Sequence, residues 1–284
     1  MNRTVVVTGA AGQLGWAMLR AFEAGWSTTA LSRNELDITD DEAVGRVIAQ
    51  LRPAVVINCA ADNDVDGAES HPVRALEANA FGVRALSRAA AAAGALFVHY
   101  SSDFVFDGNG TSPATEDDPP NPQSVYAASK LLGEWFALEC PGAYVLRVES
   151  LFGAGDAHGS RSSLAKIVAG IEAGAEVTVF TDRTVSPSYV VDVADATRAL
   201  VEQRPTGGVY HCVNGGAASW DEVARDVARQ MGLEPRLRLT TMADVKLVAP
   251  RPKYCALSNA KLARVGIPMP TWQDALGRYL VRRQ

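Results

Sequence analysis

Tyr126 and Lys130 stand four residues apart in VYAASK, a spacing that puts a phenol and an ammonium on one face of a helix. A cation beside a phenol favours the phenolate, so the pair suits a proton donor whose pKa is drawn toward working pH. Far upstream, in TGAAGQLG, Gly9, Gly12 and Gly15 follow an apolar run and precede a helical pattern. Residues without a Cβ let backbone approach a pyrophosphate, and the helix N-terminus adds partial positive charge. The bland alternative is a tight strand-to-helix turn with no ligand. One motif would hold a dinucleotide; the other would do proton chemistry beside it.

Two further stretches belong to the same chemistry. Leu96–Tyr100 reads as a buried strand that runs into Ser101-Ser102-Asp103. A hydroxyl at the C-terminal end of such a strand can donate to a carbonyl oxygen as negative charge develops there. Alternate strand residues face opposite ways, so Ser101 and Ser102 remain alternatives, as does a plain helix cap. At the end of the second strand, where an acid would meet the ribose of NAD, the chain reads Leu31-Ser32-Arg33. A guanidinium and a hydroxyl there suit a 2′-phosphate, which favours NADP(H); Glu35 and Asp37 close by keep NAD(H) as the alternative.

These residues need a scaffold that brings strand ends together. Strands are expected at Thr4–Thr8, Ser27–Leu31, Ala54–Asn58, Leu96–Ser101 and Tyr144–Val148, several of them rich in Val and Ile. Helices are expected between them at Gly12–Glu23, Asp40–Leu51, Pro72–Ala93 and Ser124–Glu139, with Thr39 and Glu42 as a capping box. Strands with little alternation suit a parallel sheet covered on both faces, and the βα order gives a Rossmann-type doubly wound α/β fold. Later elements are expected as helices near Ser163–Ala173, Val191–Glu202 and Trp220–Met231 and strands at Val177–Phe180 and Val209–Val213. The last helix is followed by loops rich in proline and arginine. The domain expectation is residues 1–150 plus about 181–213 for the dinucleotide, and about 151–180 plus 214–284 as a small mixed substrate lobe.

Composition narrows the partners. The chain has 284 residues, 48% of them hydrophobic, and a net charge of -5, which gives no general attraction for nucleic acid or an anionic membrane. No apolar run reaches the roughly 18–20 residues that span a bilayer. The first strand begins at once, leaving no room for a signal peptide, so a cytoplasmic protein is expected. Cys59, Cys140, Cys212 and Cys255 are scattered, form no metal-ligand spacing and suggest reduced thiols. His71, His99, His158 and His211 fall in no metal spacing either, and no metal is expected. His99 and His211, in strands, read as structural, as does Trp220.

The chain is similar to the extended short-chain dehydrogenase/reductases, and most of all to the dTDP-4-dehydrorhamnose reductases. TGAAGQLG, ELDITD, VVINCAAD with VDGAES, HYSSDFVFDG, VYAASKLLGE, SPSYVVDVADA, GVYHCVN and RPKYCALSNAKL carry the resemblance over nearly the whole length. It implies a triad of Ser102, Tyr126 and Lys130. Ser102 would polarise a sugar ketone and Tyr126 protonate it, while Lys130 binds the nicotinamide ribose. It further implies Gly12, Gln13 and Leu14 at the pyrophosphate, Asp37 and Ile38 at the adenine, Ala60 and Ala61 along the path to the nicotinamide, and Asp103 at the substrate.

Departures from that family bear on substrate. Its Arg-Thr-Ser-Trp-Val-Tyr-Gly, whose tryptophan packs on the sugar nucleotide, is here Arg147–Gly153, in which Leu151 stands for the ring and Glu149 brings in an acid. Losing a stacking ring costs about 1 kcal/mol or more. The family's Asn-Phe is missing from Gly159–Ser163, and Arg183 replaces a glutamine. Arg161, Arg183, Arg251 and Lys253 are candidates for a diphosphate, against the alternative of solvated surface charge. The expected activity is NADPH-dependent reduction of a 4-keto-6-deoxyhexose nucleotide, with a homodimer as the expected assembly. A sugar-nucleotide epimerase or dehydratase of the same fold is one alternative. A non-catalytic NADP-binding subunit, like the relatives that partner methionine adenosyltransferase, is another.

Overall fold

The computed structural model describes residues 3–153 and 162–283. The first five strands are β1 (Thr4–Thr8), β2 (Ser27–Leu31), β3 (Val55–Asn58), β4 (Leu96–Ser102) and β5 (Tyr144–Val148). Between them run α1 (Gln13–Phe22), α2 (Asp41–Leu51), α3 (Val65–Ser70), α4 (Pro72–Leu76), α5 (Gly82–Ala92) and α6 (Val125–Ala137). After β5 come β6 (Leu151–Phe152), α7 (Ser163–Glu172), β7 (Glu176–Phe180), β8 (Thr184–Val185), β9 (Ser188–Tyr189), α8 (Val190–Gln203) and β10 (Gly208–His211). The remainder is β11 (Ala218–Ser219), α9 (Trp220–Met231), β12 (Arg236–Thr240), α10 (Ala260–Arg264) and α11 (Trp272–Arg283).

Six of these strands form one parallel sheet in the order β10-β5-β4-β3-β1-β2. The pleat sorts their side chains. Val5 and Val7 of β1, Val55 and Ile57 of β3 and Leu96 and Val98 of β4 face a core shared with Met18 and Phe22 of α1 and Val193 and Leu200 of α8. Val6, Val56, Phe97 and Val145 point the other way, toward Val44 and Ile48 of α2 and Leu86 of α5. Burial on both faces explains why these strands read as continuous apolar runs. A separate core joins Leu164, Ile167, Val179, Val223, Val227, Trp272 and Tyr279, and Trp220 is buried within it. Among the described residues, no helix is long and apolar enough to cross a membrane.

The chain departs from its sequence expectation most plainly at the start of α2, within Pro72–Ala93 and in the tail. Thr39 does not cap α2: Asp40 is the N-cap and its carboxylate accepts from Ala43 N at 2.9 Å, while Thr39 donates its hydroxyl to Asp37. The ionised acceptor next in line wins the helix end, where negative charge is favoured. The expected helix Pro72–Ala93 is interrupted at Glu77–Phe81 by a π-helical turn. Asn79 in that turn is buried, donates to Asp62 O and Ser129 Oγ, and accepts from Asp62 N. The tail is also more regular than its composition suggests: β12 pairs with β7 in parallel, and α11 occupies Trp272–Arg283. Trp272, Ala275, Leu276 and Tyr279 supply its buried stripe at helical spacing, among enough arginine to hide it.

Candidate active site

The reversal of strand order lies between β1 and β3, and in open α/β sheets ligands bind outside the strand ends at that point. Gly9 ends β1 there with φ +65, and a Cβ built on it would lie 2.5 Å from Ala60 N at the end of β3. A Cβ on Gly15 would collide with the Gly9 carbonyl. The turn therefore needs glycine at both places. Gly12 is the N-cap of α1 and has no side-chain cap, so the helix start with Gln13 and Leu14 keeps backbone donors aimed into the crevice. A chain closed this tightly around uncapped amides fits a dinucleotide pyrophosphate. Ala60 and Ala61 are half-buried beside it.

Beyond β2, the cofactor candidates answer one another. Arg33 is 82% exposed and pairs with Asp37 at 3.3 Å, while Ser32 donates both its amide and its hydroxyl to Glu35. Thr39 hydrogen bonds hold the Asp37 carboxyl below its usual range. Ile38 is buried against Gly82, so it contributes to the wall beneath this end of the crevice.

The triad assembles where β4 meets α6. Ser124 caps α6 by accepting from Ala127 N at 3.2 Å, which fixes the entry of the helix that carries Tyr126 and Lys130. Both side chains are buried. Lys130 Nζ donates to Tyr100 O on β4 at 2.6 Å. Ser102, two residues further along β4, is close enough to the Tyr126 phenol to favour its ionised form, and its hydroxyl donates to Asp103 Oδ1 at 2.9 Å and accepts from Phe104 N at 3.2 Å. Ser102 thus also caps the turn Asp103–Val105, the bland alternative for this stretch, while Ser101 is buried with its hydroxyl unpartnered. The Tyr126 hydroxyl donates to Asn63 Oδ1 at 3.4 Å, and its ring meets the edge of Phe104 at 5.5 Å between centroids. Asn79 backs the helix from behind, since a Cβ on Gly133 would strike its carbonyl.

The electrostatics correct one expectation. Lys130 does not draw the Tyr126 phenol toward working pH. Burial, followed by the negative Asp103, raises it, and the Ser102 hydrogen bond offsets only part of that. Burial also pulls the Lys130 ammonium down to about 8, against Glu134 and Cys59. With its pKa raised above the ordinary phenol value, the phenol keeps its proton.

The substrate candidates divide. Asp103 and Arg183 meet in a buried cluster with Glu149 and Cys255, and the Arg183 guanidinium lies 5.5 Å over the Phe104 ring. Burial pushes Asp103 up to about 6 and Glu149 up to about 8. Leu151 is half-buried against the first core and its carbonyl accepts from Gln13 Nε2 at 3.2 Å. Counted residue by residue from Arg147, the ring's place falls on Ser150, not Leu151; Ser150 has φ 43 and donates its hydroxyl to Glu149. Arg251 pairs with Asp66 at 2.9 Å and also donates to Ala249 O at 3.0 Å, and Lys253 lies 3.7 Å from Asp182. Arg161 and His158 lie outside the described residues. Sequence spacing missed the nearness of Cys255 to the acids, because it is reached only through the fold. Asn63, Phe104 and Asn79 carried no signal beyond their nearness to a motif.

The profile of the family described as RmlD substrate binding domain matches residues 3–284. A dTDP-4-dehydrorhamnose reductase of Mycobacterium tuberculosis is 39% identical over 287 residues, covering 98% of this chain and 93% of that protein. A Streptomyces griseus protein of the same name is 38% identical over 281 residues, covering 95% and 91%. The crystal structure of dTDP-4-dehydrorhamnose reductase from Bacillus anthracis in complex with NADP superposes with a TM-score of 0.93 at 29% identity, covering 99% of this chain and 100% of that one.

Proposed function

This chain belongs to the RmlD substrate binding domain family, and from that membership we propose an NADPH-dependent reductase of a 4-keto-6-deoxyhexose nucleotide, acting as a dTDP-4-dehydrorhamnose reductase in deoxysugar nucleotide biosynthesis. The observation that carries it is the nearness of Ser102, Tyr126 and Lys130 at the end of β4, beside a turn in which a Cβ at Gly9 or Gly15 would clash with backbone. When bound, NADPH supplies a hydride to the ketone carbon.

The protein's own groups do the rest. Gly9, Gly12, Gln13 and Leu14 hold the pyrophosphate on the start of α1. Ser32 and Arg33 face the 2′-phosphate, while Asp37, Ile38, Ala60 and Ala61 line the remaining length of the cofactor. Lys130, steered by Tyr100 O, binds the nicotinamide ribose. Ser102 donates to the ketone oxygen, and Tyr126 transfers its phenolic proton to that oxygen as negative charge develops. A phenol kept neutral by burial is the form a reduction needs. Asp103, Arg183, Leu151 and Arg251 face the sugar nucleotide. Residues 1–150 with about 181–213 serve the dinucleotide, and about 151–180 with 214–284 serve the substrate. Exposed Val73, Phe81, Trp135 and Leu138 on the α4–α6 side support a homodimer. Cytoplasmic action goes with a nucleotide-sugar substrate and NADPH.

Absorbance of the reduced nicotinamide, followed while dTDP-4-keto-6-deoxyhexoses are added, tests this reading. One cofactor consumed per sugar reduced is the expected stoichiometry. Sugar turnover with no net cofactor loss would point to an epimerase or dehydratase, and silence with every keto-sugar nucleotide would overturn the substrate assignment.

A further inference from the structure

The helix that carries Tyr126 and Lys130 carries a further buried polar group at the same spacing. Glu134 follows Lys130 by four residues, so Tyr126, Lys130 and Glu134 form one stripe along α6. Glu134 is 2% exposed and Arg147 of β5 is 3% exposed. The two are joined twice: Arg147 Nε donates to Glu134 Oε1 at 2.8 Å and Nη2 to Oε2 at 2.7 Å. Arg147 is itself fixed from other sides. Its guanidinium lies 4.9 Å over the Phe106 ring, and Nη1 meets His211 Nε2 at 3.4 Å. His211 Nδ1 faces the Ala114 carbonyl at 3.1 Å, so in the neutral ring it carries the proton and Nε2 accepts from Arg147.

The pair sits just below the level of the triad. Arg147 is in register with Ser101 of β4 and precedes Val148, the partner of Ser102. The near end of α6 is held by the Ser124 cap and by Glu69, whose carboxylate accepts from Val125 N at 2.8 Å. Further along, Lys130 reaches β4 through its bond to Tyr100 O at 2.6 Å. Apolar packing leaves a helix some freedom to slide and turn on a sheet. A forked pair removes both freedoms, because its two parallel bonds form at one distance and one orientation. Stability does not require such a pair. Apolar residues of similar volume in place of a buried ion pair are often neutral or stabilising, since two charges must otherwise leave water. What the apolar substitute lacks is direction.

We propose that Glu134, clamped by Arg147, is a positioning residue that sets how α6 lies on β4 and β5, and with it where Lys130 and Tyr126 stand beside the cofactor and the ketone. The inference rests on the reductase reading of this site. Glu134 acts through the helix rather than on the substrate.

Replacing both charges at once tests the assignment. Glu134→Leu with Arg147→Met fills the same space without the fork, so the denaturant midpoint should stay close to that of the wild type or rise. Turnover should fall by about tenfold or more, as for a catalytic group moved off its working position, while KM and NADPH affinity stay within about twofold. Unchanged kcat, whatever happens to the midpoint, would make the pair a stabilising contact alone and overturn the proposal. Should the double variant fail to fold, Glu134→Asp decides. The charge remains but the arm loses a methylene, so kcat should again fall with KM held, and an unchanged kcat refutes positioning. Crystal structures of the wild type and of whichever variant folds give a reading that needs no substrate. They should show α6 displaced and the Lys130–Tyr100 O contact lengthened, and a helix that has not moved overturns the proposal. A wild type that reduces no keto-sugar nucleotide instead overturns the function, while the helix position still reads the clamp.

Discussion

At Tyr126 the surroundings favour the neutral phenol, with burial first and Asp103 second, so removing the hydroxyl should affect the reaction far more than the binding. Tyr126→Phe is expected to lower turnover by roughly 10²–10⁴-fold, the usual contribution of a positioned proton donor, while NADPH affinity by fluorescence titration stays nearly intact. Arg33 is a different case, because it is mostly exposed and its partner Asp37 belongs to the same turn. A 2′-phosphate would compete for that guanidinium. Arg33→Ala should weaken NADPH by about tenfold, the size of a charged hydrogen bond, and change NADH little. Equal losses for the two cofactors would show that Arg33 does not read the phosphate. Tyr126, Lys130 and Ser102 were legible because their types and spacing are chemically restrictive. The Glu149–Arg183–Asp103 cluster was not: its members come from three strand ends, and only folding brings them together.

At the scale of elements, the glycine turn offers an internal control. Gly9 and Gly94 have nearly the same backbone angle, φ +65 and φ +67, but a Cβ at Gly94 meets nothing within 4 Å. Gly94→Ala should cost about 1–2 kcal/mol in thermal or denaturant unfolding, the conformational penalty alone, and leave NADPH affinity unchanged. Gly9→Ala should cost more and abolish measurable NADPH binding, because its Cβ must displace Ala60. Most strands of the main sheet were legible from apolar runs buried on two faces, down to the ends of β1 and β5, whereas the edge strand β2 is largely exposed. The π-helical turn at Glu77–Phe81 was not, since its cause is a set of long-range bonds from Asn79. β12 and α11 failed for another reason. Their outward faces are rich in arginine, and that charge masks a short alternation in one and a narrow apolar stripe in the other.

Across the whole molecule, buried neutral histidines set the response to acid. Burial, with the Arg147 guanidinium next, holds His211 down to about 3, and burial with Lys130 holds His99 well below its ordinary range. Between about pH 6.5 and 3 the unfolded chain therefore binds protons that the folded chain refuses. Stability should be lost as pH falls through that window and regained as it rises. His211→Gln should flatten the slope by close to one proton, about 1.4 kcal/mol per pH unit, in denaturant unfolding between pH 6.5 and 4. An unchanged slope would mean that His211 takes its proton without unfolding.

The most direct test of the reductase follows the hydrogen itself. With NADPH carrying deuterium at the transferable position of its nicotinamide, mass spectrometry of the sugar product should find one deuterium at C4 for each cofactor oxidised. A product without the label, or label retained on a cofactor that is not consumed, would contradict the account.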